Sequence, residues 1–323
     1  MCQDKLRLQN RLTDLTRVQT QTQQVLNLNS IQLTSPKLDG QAASPSSQSD
    51  LHDVLNQLHN LKLAIRIQRA RLYGTMEPRE SPSGAHDLQV NLNEYVLFNQ
   101  MVGATSNLFS GIEPEDWNIL SIFEYSMWWS LTEQAELTVR NFGQELQRSY
   151  NLDRTYTSLN SSNAREHWKP IYELIDPSSN RDSVYDVLVE YINGLQIATT
   201  NSVSAQLAKA HLDDKEMSAL LLLLMTRPAC MEVAQSERSR QALKDLRNRT
   251  LDSLAAHLKS VGKNVDERMG QIIFLTSDFQ NLGRLIKHSI RLLMTATNYK
   301  AAPKEFLAFF EQQLDIYNKY AVF

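Results

Sequence analysis

The sequence predicts an all-α protein, a three-layer antiparallel α-helical sandwich of about 10–12 helices. Three observations predict it. Apolar residues recur at three- and four-residue steps over long segments, and the alternation of a half-buried strand is rare. Glycine and proline are scarce, ten and nine in 323 residues, and they cluster between the periodic segments. Two segments are also apolar around their whole circumference. "DKEMSALLLLLM" carries five consecutive leucines, Leu220 to Leu224, and "WNILSIFEYSMWWSLTEQAEL" carries Ile119, Leu120, Ile122, Phe123, Tyr125, Met127, Trp128 and Trp129. A surface helix shows one apolar stripe and a polar back. A helix without a polar back would aggregate if exposed, and a middle layer covers it on both faces.

The elements follow in order. Residues 1–49 read as a flexible, hinge-like segment. Leu8, Leu12, Leu15 and Val18 fall at helical spacing in a Gln/Thr/Asn-rich stretch, so a short amphipathic helix and disorder both remain open. "TSPKLDGQAASPSSQSD" (Thr34–Asp50) is a linker by its Ser, Pro and Gly content. The folded domain spans 50–323. Leu51, Val54, Leu55, Leu58, Leu61 and Ile65 share a helical face that Gly74 ends, and Met76–Asp87 is a breaker-rich loop. A long helix covers Leu88–Phe109, and a second covers Trp117–Leu137. Thr157–Ser183 is polar and irregular, and Val184–Thr200 is amphipathic. The leucine helix has Asp213 as its cap and Glu216 as reciprocal partner in a capping box. Leu212 and Met217 form a staple, and Pro228 closes the helix. The next helix points Leu243, Leu246, Leu251, Leu254 and Leu258 inward, with Arg238, Arg240, Lys244 and Arg247 largely outside, and Gly262 stops it. A helix with Leu282, Leu285, Ile286 and Leu293 inside and a final one, "APKEFLAFFEQQLDIYNKYAVF", complete the chain.

Composition excludes several classes. A net charge of -3 is not that of a nucleic-acid-binding surface. Two cysteines, Cys2 and Cys230, cannot build a four-cysteine zinc module and suit a reducing compartment. The start lacks the apolar core of a secretory leader, and the apolar run Ala219–Met225 is far short of the roughly 20 residues of a membrane span. The seven histidines make no His-x-x-x-His pair, and there is neither a glycine-bracketed nucleophile turn nor a Gly-rich phosphate loop. No enzyme, metal or cofactor is expected.

Four motifs in order carry a resemblance. "FSGIEPEDWNIL" places Phe109, Ile112, Asp116 and Leu120 at set spacings. "LDDKEMSALLLLLMTRPAC" begins Leu212-Asp213, has Glu216, and ends in a turn bearing Pro228. Two long helices follow, and "APKEFLAFFEQQL" closes the set. Over about residues 50–323 the chain resembles the ligand-binding domain of nuclear receptors. The first motif resembles the signature joining that family's third and fourth helices, and the second resembles its eighth helix. Trp117 stands where the signature has glutamine, and Gln280 where many members have an arginine early in the tenth helix.

The resemblance implies a nuclear regulator of transcription that dimerises and binds coregulators. The dimer partner would be another receptor or a second copy. No membrane contact is implied, and no direct DNA contact, because the family's DNA-binding domain takes eight zinc-binding cysteines. It implies a pocket for a small lipophilic ligand lined by Leu92, Tyr95, Trp129, Glu133 and His288. The alternative is that Phe123, Tyr125, Trp128 and Trp129 simply fill that space. Glu133 and Glu136 would need partners if buried. The coregulator groove would be formed by Gln100, Ala104, Trp117, Asn118, Ser121 and Phe309. Ala104 and Phe309 fall where the family has a lysine and a glutamate, with Glu305 and Glu311 displaced from the second position. Arg284, Lys287 and Arg291 would mark the dimer surface, or else a solvated face. Two other classes stay open, an all-helical adaptor or scaffold and a lipid carrier.

Overall fold

The chain is all-α with one small sheet. The computed structural model describes residues 53–74, 77–105, 107–121, 125–142, 148–158, 161–175 and 203–296, with single positions 186, 189 and 194. The N-terminal segment, the Val184–Thr200 helix and the final helix with Glu305, Phe309 and Glu311 lie outside the described residues, apart from those single positions.

Local chemistry sets the boundaries. Helix α1 (Val54–Tyr73) starts on Asp53, whose carboxylate accepts the Leu55 N–H at 3.0 Å. It ends at Gly74, whose φ of 78° lies in the left-handed region that favours glycine. A two-residue strand β1 (Arg79–Glu80) precedes α2 (Gly84–Thr105). A 3-10 turn at Asn107–Phe109 leads to α3 (Pro114–Leu120), with proline at its first position, where no N–H is required. Helix α4 (Ser126–Phe142) is followed by strands β2 (Arg148–Tyr150) and β3 (Thr155–Ser158) and helix α5 (Ser161–Ile175). The second half holds α6 (Ala205–Ala210), α7 (Asp214–Met225), α8 (Pro228–Val233), α9 (Glu237–Ser260) and α10 (Val265–Ala296).

Helix α7 carries the five leucines and is enclosed. Every residue from Glu216 to Met225 is buried. Helices α1, α4, α9 and α10 all pack on it, and α1 meets α9, α9 meets α10, α10 meets α4, α4 meets α2, and α2 meets α1. The packing therefore runs in three layers: α1 and α2, then α4, α7 and α9, then α6 and α10. Helix α4, the later part of the second oily segment, packs directly against α7.

Both ends of α7 are secured. The Asp213 carboxylate accepts the N–H groups of Lys215 and Glu216, and Glu216 accepts the Asp213 N–H, completing the capping box. His257 Nε2 lies 3.0 Å and Lys263 Nζ 3.1 Å from Asp213 Oδ2. Arg268 reaches Glu216 through two nitrogens at 2.6 and 2.9 Å. At the other end Arg247 donates to the Leu223 and Thr226 carbonyls at 3.1 and 3.4 Å, placing a cation on the negative pole of the helix. Arg247 is thus half-buried and employed, where the sequence placed it largely on the solvent side.

The cap carries a pH prediction. Burial pushes the Asp213 carboxyl up, but the Glu216 N–H, His257 and Lys263 outweigh it and take it from its ordinary 3.8 to about 2. A carboxyl depressed in the fold stabilises fully above its unfolded value and loses that contribution as pH falls. Acid unfolding of the wild type is expected to steepen between about pH 4 and pH 2. Asp213→Ala is expected to lose about 1 kcal/mol at neutral pH and to flatten that limb. An unchanged acid limb in thermal melts across pH would contradict the assignment.

Four elements differ from the sequence expectation. Within the Trp117–Leu137 segment α3 ends at Leu120 and α4 begins at Ser126, and residues 122–124 lie outside the described residues. The stretch expected to be irregular forms β3 and α5. Among the described residues of this stretch Ala164, Trp168 and Ile171 are its buried apolar side chains, and Pro170 lies inside the helix. What holds α5 is α2, where a Cβ on Gly84 would overlap the Trp168 ring. The three strands, ordered β1-β3-β2 with β1 parallel and β2 antiparallel to β3, are too short for alternation to show. Pro228 opens α8 rather than closing α7, which stops at Met225.

Candidate functional site

The least expected feature is a charged cluster inside the core, between α1, α2 and α4. Glu133 of α4 is 0% exposed. Lys62 Nζ lies 3.1 Å, Arg66 Nη2 2.9 Å and Arg69 Nη1 3.2 Å from its oxygens. Arg69 also grips Glu94 of α2 through Nε and Nη2 at 2.9 and 2.8 Å. Lys62 and Arg66 reach Glu136 at 2.8 and 2.9 Å, and Arg140 bridges Glu136 to Asp214 of α7. Four cations thus face four carboxylates, and the cluster is close to neutral.

Its electrostatics divide by site. Burial pushes the Glu133 carboxyl up, but Lys62, Arg69 and Arg66 override it and hold it well below the ordinary carboxylate range. Glu94, with one cation, goes the other way: its burial outweighs Arg69 and raises it. The sequence showed that Glu133 and Glu136 would need partners. Lys62, Arg66 and Arg69 recur at four- and three-residue steps beside Leu58, Leu61 and Ile65, a spacing that a solvated helix back shows equally.

Leu92, Tyr95, Trp129 and Glu133 are carried by the adjacent helices α2 and α4. Leu92 and Trp129 are buried, and Tyr95 is half-buried with its hydroxyl pushed up to about 12 by desolvation. Trp129 packs on Phe98 with ring centroids 5.4 Å apart. Its ring N–H is buried without an acceptor among the described residues. Glu133 is committed to the cation cluster. His288 is exposed on α10.

Phe109 and Leu120 are in the core, and Phe109, Trp117 and Tyr125 form an aromatic triplet with centroids 5.3–5.7 Å apart. The buried Asp116 carboxylate accepts the N–H groups of Gln235 and Ser236 at 2.7 and 3.0 Å, tying α3 to the start of α9. Burial raises this carboxyl, and the Ser239 hydroxyl and the two backbone N–H groups bring it below its ordinary value.

Of the groove residues, Gln100 and Trp117 are half-buried, Asn118 is exposed and Ser121 is buried, its hydroxyl donating to the Asn118 carbonyl at 3.4 Å. Ala104 is in the last turn of α2. Arg284 and Arg291 are exposed on α10, and Lys287 is half-buried.

A second polar hub fixes the sheet to α2. The buried Asp87 carboxylate accepts from the Ser81 and Thr157 hydroxyls and the Asn151 amide, and His167 Nε2 lies 2.9 Å away. His86 Nε2 lies 2.6 Å from Asp153.

Among the described residues no helix is long and apolar enough to cross a membrane. No protein-family model matches the chain, and no curated protein matches its sequence.

Proposed function

We propose that residues 50–323 form the regulatory domain of a divergent nuclear receptor, controlling transcription in the nucleus by dimerising and by binding coregulators. The observation that carries the reading is the enclosed α7. It is a capped leucine helix beside α4, with α1 on one side and α10 on the other. The Asp116 junction supports it further, since this residue of the stretch that resembles the family signature ties α3 to the start of α9.

The coregulator surface departs from the family in chemistry. Ala104 supplies no cation at the clamp position, and Gln100 and Asn118 replace aliphatic lining. Ordinary Leu-x-x-Leu-Leu peptides therefore gain neither end-on charge contacts nor a dry apolar slot. Titration with such a peptide is expected to show no saturation up to roughly 100 μM; micromolar affinity would contradict the departure. The receptor reading itself is tested by fusing the full chain to an unrelated DNA-binding module beside a reporter gene. Reporter output is expected to change relative to the module alone. No change in cells that express the folded fusion counts against it.

A ligand is favoured by one observation, the buried Trp129 N–H without an acceptor. Opposing it, Phe98, Tyr125, Trp128 and Trp129 are among the largest fully buried side chains and occupy that region. Native mass spectrometry before and after organic extraction separates the two. An apolar molecule that leaves on extraction supports the ligand, and a bare-chain mass removes it.

A further inference from the structure

The buried apolar side chains do not all belong to one cluster. Among the described residues the continuous core runs from α1 and the second half of α2 through α4 and α7 to α10. Val90 of α2, Tyr150 and Leu152 at the sheet, and Ala164, Trp168 and Ile171 of α5 are buried outside it. A separate cluster of this kind lets a part of a fold open by itself. Helix α5 packs chiefly on α2. Its stripe of Ala164, Trp168 and Ile171 is narrow, and Pro170 removes a backbone hydrogen bond from its interior. Trp168 lies against Gly84, where an added Cβ would overlap its ring, and His167 Nε2 is 2.9 Å from Asp87 Oδ2. The Arg165–Asp186 pair is exposed, where such pairs are worth little.

We propose that α5 is a flap that swings off α2 as one unit while the core around α7 stays closed, and that Asp87 is its latch. The latch has a firm mount. Ser81, Asn151 and Thr157 donate to the Asp87 carboxylate from the sheet side, which leaves it fixed in place to receive His167. The sheet stays behind when α5 leaves, because β2 packs on α4 and the Tyr150 N–H donates to Thr138 Oγ1 at 3.0 Å. Opening bares the Ala164, Trp168 and Ile171 stripe and the first turns of α2. It breaks one charge-assisted contact and releases one large ring, far less than unpacking α7 requires. The inference does not rest on the receptor reading, because it concerns only how α5 is held.

The test is native-state hydrogen exchange on the full 323-residue chain, at rising urea concentrations below the unfolding midpoint. The Trp168 and Ile171 amides are read against those of Leu220 to Leu224, each corrected for its intrinsic rate. Trp168 and Ile171 are expected to share one opening free energy and to exchange about thirty-fold or more faster than the α7 amides. Their acceleration by urea is expected to be about half as steep or less, since that slope follows the surface exposed on opening. Gly84→Ala drives a methyl group into the Trp168 ring and is expected to raise α5 exchange about ten-fold or more. Asp87→Asn keeps the shape of the latch, loses its charge, and is expected to act in the same direction. Circular dichroism checks that both variants keep their helices. If the α5 amides share the free energy and urea slope of α7, the domain opens as one unit and the proposal is overturned. Exchange that ignores urea and differs between Trp168 and Ile171 is fraying of the helix end, and overturns it too. So does α5 exchange that stays unchanged in either variant.

Discussion

Truncating any one of Leu220, Leu221, Leu222, Leu223 or Leu224 to alanine is expected to destabilise the fold by about 2–5 kcal/mol, with no tolerant position in the run. In an amphipathic helix one or two of five consecutive positions face water, and their truncation is nearly silent. Here all five are at most 1% exposed, because α1, α4, α9 and α10 close around α7. Each truncation removes the transfer free energy of the lost carbons and leaves a cavity that neighbouring helices fill only in part. Domains hold about 5–15 kcal/mol in total, so each variant approaches the limit of folding. Urea midpoints for the five variants check this. One position whose midpoint stays at the wild-type value would place that leucine on the surface.

The second large effect comes from charge. Glu133→Ala is expected to cost about 3–5 kcal/mol. Lys62 and Arg69 are almost completely buried, and without Glu133 they must share Glu136 and Glu94 or stay uncompensated in the core. The loss should persist in high salt, since buried pairs are screened little. The contrasting case is Arg238→Ala. Its pair with Glu113 lies at the surface, with the Arg238 side chain 73% exposed, and the expected loss is under about 1 kcal/mol. Equal losses in the two variants would mean that the α1–α4 cluster is wet. The cluster is not an argument for exceptional stability, because well-packed apolar side chains serve as well. It does specify where α1 sits, since only one register of its cations meets the three carboxylates.

These two variants also mark how far the sequence could be read. The leucine run, its capping box and its need for cover on both faces were legible, because local chemistry and whole-circumference apolarity require no knowledge of the neighbours. The hidden cations were not, because Lys62, Arg66 and Arg69 look like the polar back of an ordinary amphipathic helix until α4 presents Glu133 and Glu136 to them. Arg247 misled for the same reason: its charge suggests solvent, while its long side chain reaches the carbonyl end of α7. Helix α5 and the strands were missed because their stability lies in tertiary contacts. Examples are Trp168 over Gly84 and the Asp87 hub, rather than any periodic pattern of their own. At the candidate site, adjacency of the α2 and α4 residues followed from the resemblance. The identity of the Glu133 partners did not, because they come from α1. A close approach of the same kind fixes α10, where a Cβ on Gly283 would overlap the Trp128 ring.

The central claim, that α7 lies enclosed between two outer layers, is tested most directly by native-state hydrogen exchange resolved to the peptide Leu220–Met225. These amides are expected to exchange only through global unfolding, with the same free energy as the whole domain. Exchange through a lower-energy local opening, at the rate of a surface helix such as the exposed face of α10, would contradict it.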